Sequence, residues 1–339
     1  MLLAIFWRAA ILSCCLGVLL PPAQAQSNNR EYVISARELE QAGKLRESVT
    51  LLEQSLKSDM ANAEAWNQLG AVQYQLGYFD NAKKSFQKAI SLKPAFVAPR
   101  RNLTALWLKT GDHKRVLKEA EQVLALDPQN ADAHLLLGQA HLQLDQPQEA
   151  ARAFAAVTRQ VPTNAVAHLL LSEALIQPLP PSKDTQATTA ERQLRNRQQS
   201  TAAATAFETY LKLKPEAARN EEAQNHLANL RFYSQAEPTL PDLGKVIDMK
   251  DTARPVISYK EKAKYTEEAH TLGIHGLVIL RIVFAADGTL RHPLVIKGLG
   301  SGLNEKAVEA AMKIRFEPAK ENGKPVSVSG RLEFTFALY

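Results

Sequence analysis

Two patterns of apolar and polar residues divide this chain. From Asn29 to about Phe232 the apolar positions have helical spacing, and the pattern itself returns every 34 residues. The stretch Ala63 to Phe96 carries Trp66, Leu69, Gly70, Gly77, Ala82, Phe86, Ala89 and Pro94. The stretch Ala131 to Asn164 has Leu137, Gly138, Ala150, Phe154 and Pro162 at the matching places, and Pro94, Pro128 and Pro162 recur at intervals of 34. Each position has a mechanical reason. Small residues (Gly70, Gly138, Ala82, Ala150) let two helices approach, and large ones (Trp66, Phe86, Phe154) fill the space between hairpins. Gly77 and Gly111 sit where the first helix stops and the chain reverses. The proline ends the second helix because it cannot continue the hydrogen-bond ladder.

The predicted repeats are 29–62, 63–96, 97–130, 131–164 and 165–215. The first is degenerate, with Met60 in place of the proline, and the last is opened by a Pro-rich insertion at about 177–195. A polar-faced capping helix is expected over 216–233 and a semi-extended linker over 234–252. The pattern then changes to short helices and strands. Thr266 to Leu272 reads as a helix, Gly276 to Ala285 as a strand, Asp287-Gly288 as a hairpin turn and Thr289 to Lys297 as the return strand. Asn304 to Ile314 reads as an amphipathic helix with Asn304 as N-cap, and Val326 to Leu338 as a long final strand.

The 34-residue unit closely resembles the tetratricopeptide repeat family. The helix–strand–strand–helix–strand order over 253–339 resembles the TonB C-terminal domain, through Lys264-Tyr265, Gly273-Ile274-x-Gly276, Asp287-Gly288, Ala307-Val308, Arg315-Phe316-x-Pro318 and Asn322-Gly323-Lys324-Pro325-Val326. One departure is Thr266 after Tyr265, where that family has Tyr-Pro. The implied fold class is α+β multidomain: an all-α solenoid, then a small α/β sandwich with a three-stranded antiparallel sheet and two helices. TonB-like domains take an extended segment of an outer-membrane transporter as an added strand. A last strand with an open edge suits this, because main-chain hydrogen bonds then supply the affinity. The candidate edge residues are Ser327, Ser329, Arg331, Glu333 and Thr335, with Tyr265 nearby; the plainer reading is that they face solvent. For the repeats, the candidate concave lining includes Asn67, Tyr74, Arg101, Leu108, Leu135, Gln139, Leu142 and Leu169. That face either holds a peptide in apolar pockets or packs against the same chain.

Composition narrows the setting. Residues 1–25 combine two apolar stretches, Arg8, a Pro21-Pro22 break and Ala23-Gln24-Ala25, and read as a cleaved signal peptide; an uncleaved anchor over 1–20 is the alternative. Both cysteines, Cys14 and Cys15, lie in that segment. The expected mature chain therefore has no disulfide and no thiolate metal site. The net charge of +6 is mild, and residues 250–339 hold 14 Lys+Arg against 10 Asp+Glu, too dispersed a surplus for nucleic acid. His134 and His141, seven apart, read as helix packing rather than metal ligands. No catalytic constellation stands out, and no metal or cofactor is expected. The expectation is a non-enzymatic periplasmic adaptor that binds a TonB-dependent outer-membrane transporter and recruits a second protein through its repeats. The alternatives are a membrane-anchored energy transducer and an envelope-assembly scaffold that forms a homodimer through its C-terminal domain.

Overall fold

A computed structural model of the protein describes residues 22–178, 188–249 and 254–338. The signal-segment expectation falls on residues 1–21, outside the described residues, and on the first residues of helix α1 (Pro22–Gln41). Residues 179–187 of the Pro-rich insertion also lie outside them. The fold divides at Pro128 and Gln129 into two compact units.

The first unit contains three helical hairpins: α1 with α2 (Leu45–Ser58), α3 (Ala63–Gln75) with α4 (Phe79–Leu92), and α5 (Val97–Lys109) with α6 (His113–Leu126). The contact between α3 and α4 follows the small-against-large rule. A Cβ on Gly70 would lie 2.6 Å from the Phe86 ring, so only glycine admits that approach. Gly77 turns its hairpin with φ +78°, a conformation that costs other residues.

The second unit starts with α7 (Ala131–Gln143) and α8 (Pro147–Gln160), where Gly138 meets Phe154 in the same way. Asn62, Asn130 and Asn164, also on the 34-residue spacing, cap the helices behind them. Each side chain accepts a backbone N–H three residues on, at 3.0 Å. After α9 (Ala165–Ile176), α10 (Thr189–Leu213) starts earlier than the insertion suggested. Thr188 and Glu191 form a reciprocal capping box there, a signal visible in the sequence as Thr-x-x-Glu.

The sheet has the three expected antiparallel strands at its centre: β4 (Gly276–Phe284) between β5 (Leu290–Lys297) and β8 (Lys324–Phe336). The segment expected to be a linker supplies two more, β1 (Thr239–Leu240) and β2 (Gly244–Asp248). β2 runs parallel to β8, pairing Val246 with Ser327 and Asp248 with Ser329. A hairpin through Asn322-Gly323 joins β7 (Ala319–Glu321) to β8, and β3 (Val256–Tyr259) with β6 (Arg315–Glu317) forms a separate ribbon. The expected helices are α12 (Glu267–Thr271) and α13 (Leu303–Ala311). Gly302 precedes α13 in a left-handed conformation, and Asn304 does not cap it. Its side chain instead accepts the Leu299 N–H at 2.9 Å, holding the loop below.

Both faces of this sheet are covered. On one, Val278, Leu280, Ile282, Leu332 and Phe334 pack with α12 and α13 residues such as Ala269, Leu303 and Ala307. On the other, Ile279, Val283, Leu294 and Ile296 pack with Phe207 of α10 and with Leu227, Leu230 and Phe232 of α11 (Glu221–Ser234). The helix expected to end the repeats with a polar face is therefore an apolar layer of the C-terminal domain.

Candidate functional site: the open edge of the last strand

β4 lies along one side of β8 from Val328 to Phe336. On the other side, β2 stops at Ser329, where the Met249 N–H donates to the Ser329 carbonyl at 3.0 Å. Four residues further on, Lys260 Nζ donates to the Glu333 carbonyl at 2.7 Å from that same side. Both acceptors are odd-numbered. Since strand direction alternates with a period of two, Arg331, Glu333 and Thr335 turn their peptide groups away from β4 toward the open side. Their side chains are exposed, while those of Leu332, Phe334 and Phe336 fill the core. Among the described residues no strand pairs with this side of β8 from Arg331 to Thr335, about 13 Å at the rise of an extended chain.

The other candidate edge residues lie elsewhere. Ser327 is fully buried beside β2 and accepts the Ala286 N–H through its hydroxyl at 3.0 Å. The Ser329 hydroxyl accepts Arg281 Nε at 3.4 Å. At both positions β2 already fills the edge, a parallel pairing between segments about 80 residues apart that no local pattern reveals. Tyr265 packs into the first core. Its hydroxyl donates to the Ile274 carbonyl at 2.5 Å, and its ring meets Phe336 edge-on at 5.5 Å. Lys260, which contacts both the Glu333 carbonyl and the face of the Phe334 ring, was missed because nothing in the sequence ties it to β8.

The candidate residues of the repeat faces make contacts within the chain or are half-buried. In the first unit Asn67 accepts the Asn102 side-chain amide at 3.0 Å, Tyr74 leans on Phe79, and Arg101 and Leu108 are half-buried. In the second, Leu135 and Leu142 pack against the core of Ala150, Phe154 and Ala174, and Gln139 is half-buried. Leu169 packs into the second sheet core, so there the face is covered by the same chain.

The seam between helices and sheet is specific. Asn229 donates to the Pro293 carbonyl at 2.6 Å, Tyr233 donates to the His292 carbonyl at 2.8 Å, and Phe232 stacks on the His292 ring at 3.8 Å. Burial lowers the pKa of His292 and brings that of His226, edge-on to Phe207, to about 4, so both are held neutral. Among the described residues no group of His, Cys, Asp or Glu could hold a metal ion.

Comparison with known families follows this division. Residues 261–338 match the family described as Gram-negative bacterial TonB protein C-terminal, and residues 41–168 match the cytochrome c-type biogenesis protein H TPR domain. The chain joins a tetratricopeptide-repeat domain to a TonB-type C-terminal domain. Both indicate binding to other proteins. Similar curated proteins include the TPR repeat-containing protein YpiA of Bacillus subtilis, 23% identical over 125 residues (37% of this chain, 30% of that one). Another is the TPR repeat-containing thioredoxin TTL4 of Arabidopsis thaliana, 32% identical over 95 residues (28% and 14%). The chain thus spans under a third of either relative. A solved structure of MamA from Desulfovibrio magneticus RS-1 is 21% identical, with a TM-score of 0.45, covering 56% of this chain and 96% of that one.

Proposed function

We propose that this protein is a periplasmic adaptor whose TonB-type domain takes an extended segment of an outer-membrane transporter as an added strand along Arg331–Thr335. The observation that carries this reading is the open side of β8 there, bounded by β2 at Ser329 and spanned by one lysine at Glu333. An incoming strand gains main-chain hydrogen bonds along the edge, at about 0.5–1.5 kcal/mol each. It displaces a single exposed side chain, Lys260, to do so. The repeats recruit a second protein through surfaces not already used for packing. The TonB-type and biogenesis-type family matches support an envelope location. Among the described residues no helix is long and apolar enough to cross a membrane.

A photocrosslinker replacing Arg331 or Glu333 tests the reading. It should capture the periplasm-facing N-terminal segment of a TonB-dependent transporter, whereas one on α13, at Glu305, should not. Absence of capture at both edge positions in folded protein rejects strand addition.

A further inference from the structure

A cavity of about 490 Å³ lies on the outer face of the sheet, between the first turns of α10, the chain entering β1, and β2. Arg281 of β4 reaches it from below and Arg197 of α10 from above. Arg281 is the one charged residue in an otherwise apolar strand, and its side chain is only 20% exposed. Its guanidinium lies over the Tyr233 ring at 4.2 Å. A guanidinium has five N–H donors, and burying one with donors unfilled is costly. The partners of Arg281 are few: Ser329 Oγ at 3.4 Å, and Asp248 at 3.8 Å, which is beyond hydrogen-bond reach. Burial lowers its pKa, partly offset by Tyr233 and Asp248, and Arg331, directly opposite on β8, adds repulsion.

The charges around the cavity do not cancel. Lys245 and Glu237 satisfy each other at 2.6 Å. Asp248 offsets one guanidinium, and among the described residues Arg197 has no carboxylate partner. One positive charge is left over, carried by donors suited to holding a carboxylate with two parallel hydrogen bonds. Apolar side chains lie alongside, the buried Phe232 and the partly exposed Leu194. Because Met249 bonds toward β8, its neighbour Asp248 turns its own peptide groups to the opposite side of β2, where the chain entering β1 also runs. A carboxylate, an apolar side chain and a peptide group are what the end of an extended peptide presents.

We infer that this cavity binds the C-terminal carboxylate of an extended peptide, with Arg281 and Arg197 gripping the carboxylate and Leu194 and Phe232 receiving the last apolar side chain. The site is separate from the β8 edge, and it depends on the repeat array because residues of α10 and α11 line it.

Calorimetric titration of the full chain with acetyl-Thr-Ala-Leu as the free acid, its C-terminal amide, and acetate tests this. The free acid should bind, and the amide should bind about tenfold or more weakly, the usual difference for charge-assisted hydrogen bonds. Arg197→Gln, on a helix surface, should fold normally and lose most of that preference, and Arg281→Lys should weaken the free acid while keeping the fold. Equal binding of acid and amide overturns the proposal, as does no binding of the acid at millimolar concentration. Acetate binding as tightly as the peptide would leave an anion site and overturn the peptide assignment. Unchanged affinity in Arg197→Gln would also overturn it.

Discussion

Leu230→Ala, a change in the last helix of the repeat array, should destabilise the sheet of the TonB-type domain. Leu230 is fully buried in the second core, among residues that include Phe207, Leu294 and Ile296. Losing its three outer carbons removes about 2.5 kcal/mol of transfer free energy. The cavity left behind adds to this, and α11 is pinned on β5 by hydrogen bonds from Asn229 and Tyr233, which limits collapse. The expected loss is therefore about 3–4 kcal/mol, within the range for buried Leu→Ala changes. Trp66 and Trp107 both lie in the first unit, so tryptophan fluorescence does not report this loss. Native-state hydrogen exchange does. Backbone amides of β4, such as Leu280 and Ile282, should exchange about a hundredfold faster or more in the variant. If exchange quickens in α11 but not in β4, the helix merely rests on the sheet and the shared core contributes nothing to the domain.

Acid should loosen the same seam. The pKa of His226 falls from 6.5 to about 4 on folding, so below pH 6.5 the unfolded chain takes up a proton that the folded chain refuses. Stability then falls as pH falls, by about 2 kcal/mol between pH 7.5 and 5, and His226→Gln should flatten that slope in urea titrations. Gly138→Ala would place a Cβ 2.5 Å from the Phe154 ring. Thermal unfolding of the variant should show a loss of about 1–3 kcal/mol, and a neutral result would mean the hairpin can spread. Lys260→Ala removes the donor on the Glu333 carbonyl, so crosslinking of a transporter segment at Arg331 should rise. A fall in yield would show that Lys260 helps to hold the strand instead of blocking it.

The repeats were legible because their constraints are local. Gly70 and Phe86 sit 16 residues apart, as do Gly138 and Phe154, and each pair touches within one hairpin. One position in that series departs from glycine and makes a distant contact. Asp145 stands 34 residues after Gly111 and turns its hairpin with φ +60°, where glycine would be less strained. Its carboxylate receives Lys297 of β5 at 2.7 Å, a contact with a residue 152 positions away. β2 escaped notice for a related reason. Its five residues are flanked by prolines and gain their partner from a strand about 80 residues later, so neither length nor alternation marks them.

The covered second face, by contrast, did have a signature. In a sheet with helices on only one side, strands alternate between apolar and polar residues, but β4 reads Leu-Val-Ile-Leu-Arg-Ile-Val-Phe from Leu277. Val278, Leu280, Ile282 and Phe284 serve one core, and Ile279 and Val283 the other. A domain with two short helices of its own can cover one such face, so the run demands a second cover, and Leu227, Leu230 and Tyr233 recur along α11 at the spacing to supply it. The interruption in the run then gains significance. Arg281 is where an apolar side chain would pack best, and a residue that lowers packing quality at the centre of a strand needs some other reason to be there. The cavity it enters is open to one side, and it lies on the face that the repeat helices cover. Fusing the array to the sheet therefore does more than tether one binding domain to another. It closes an apolar surface that the C-terminal domain alone would expose, and it builds from both parts the walls of a site that neither part contains.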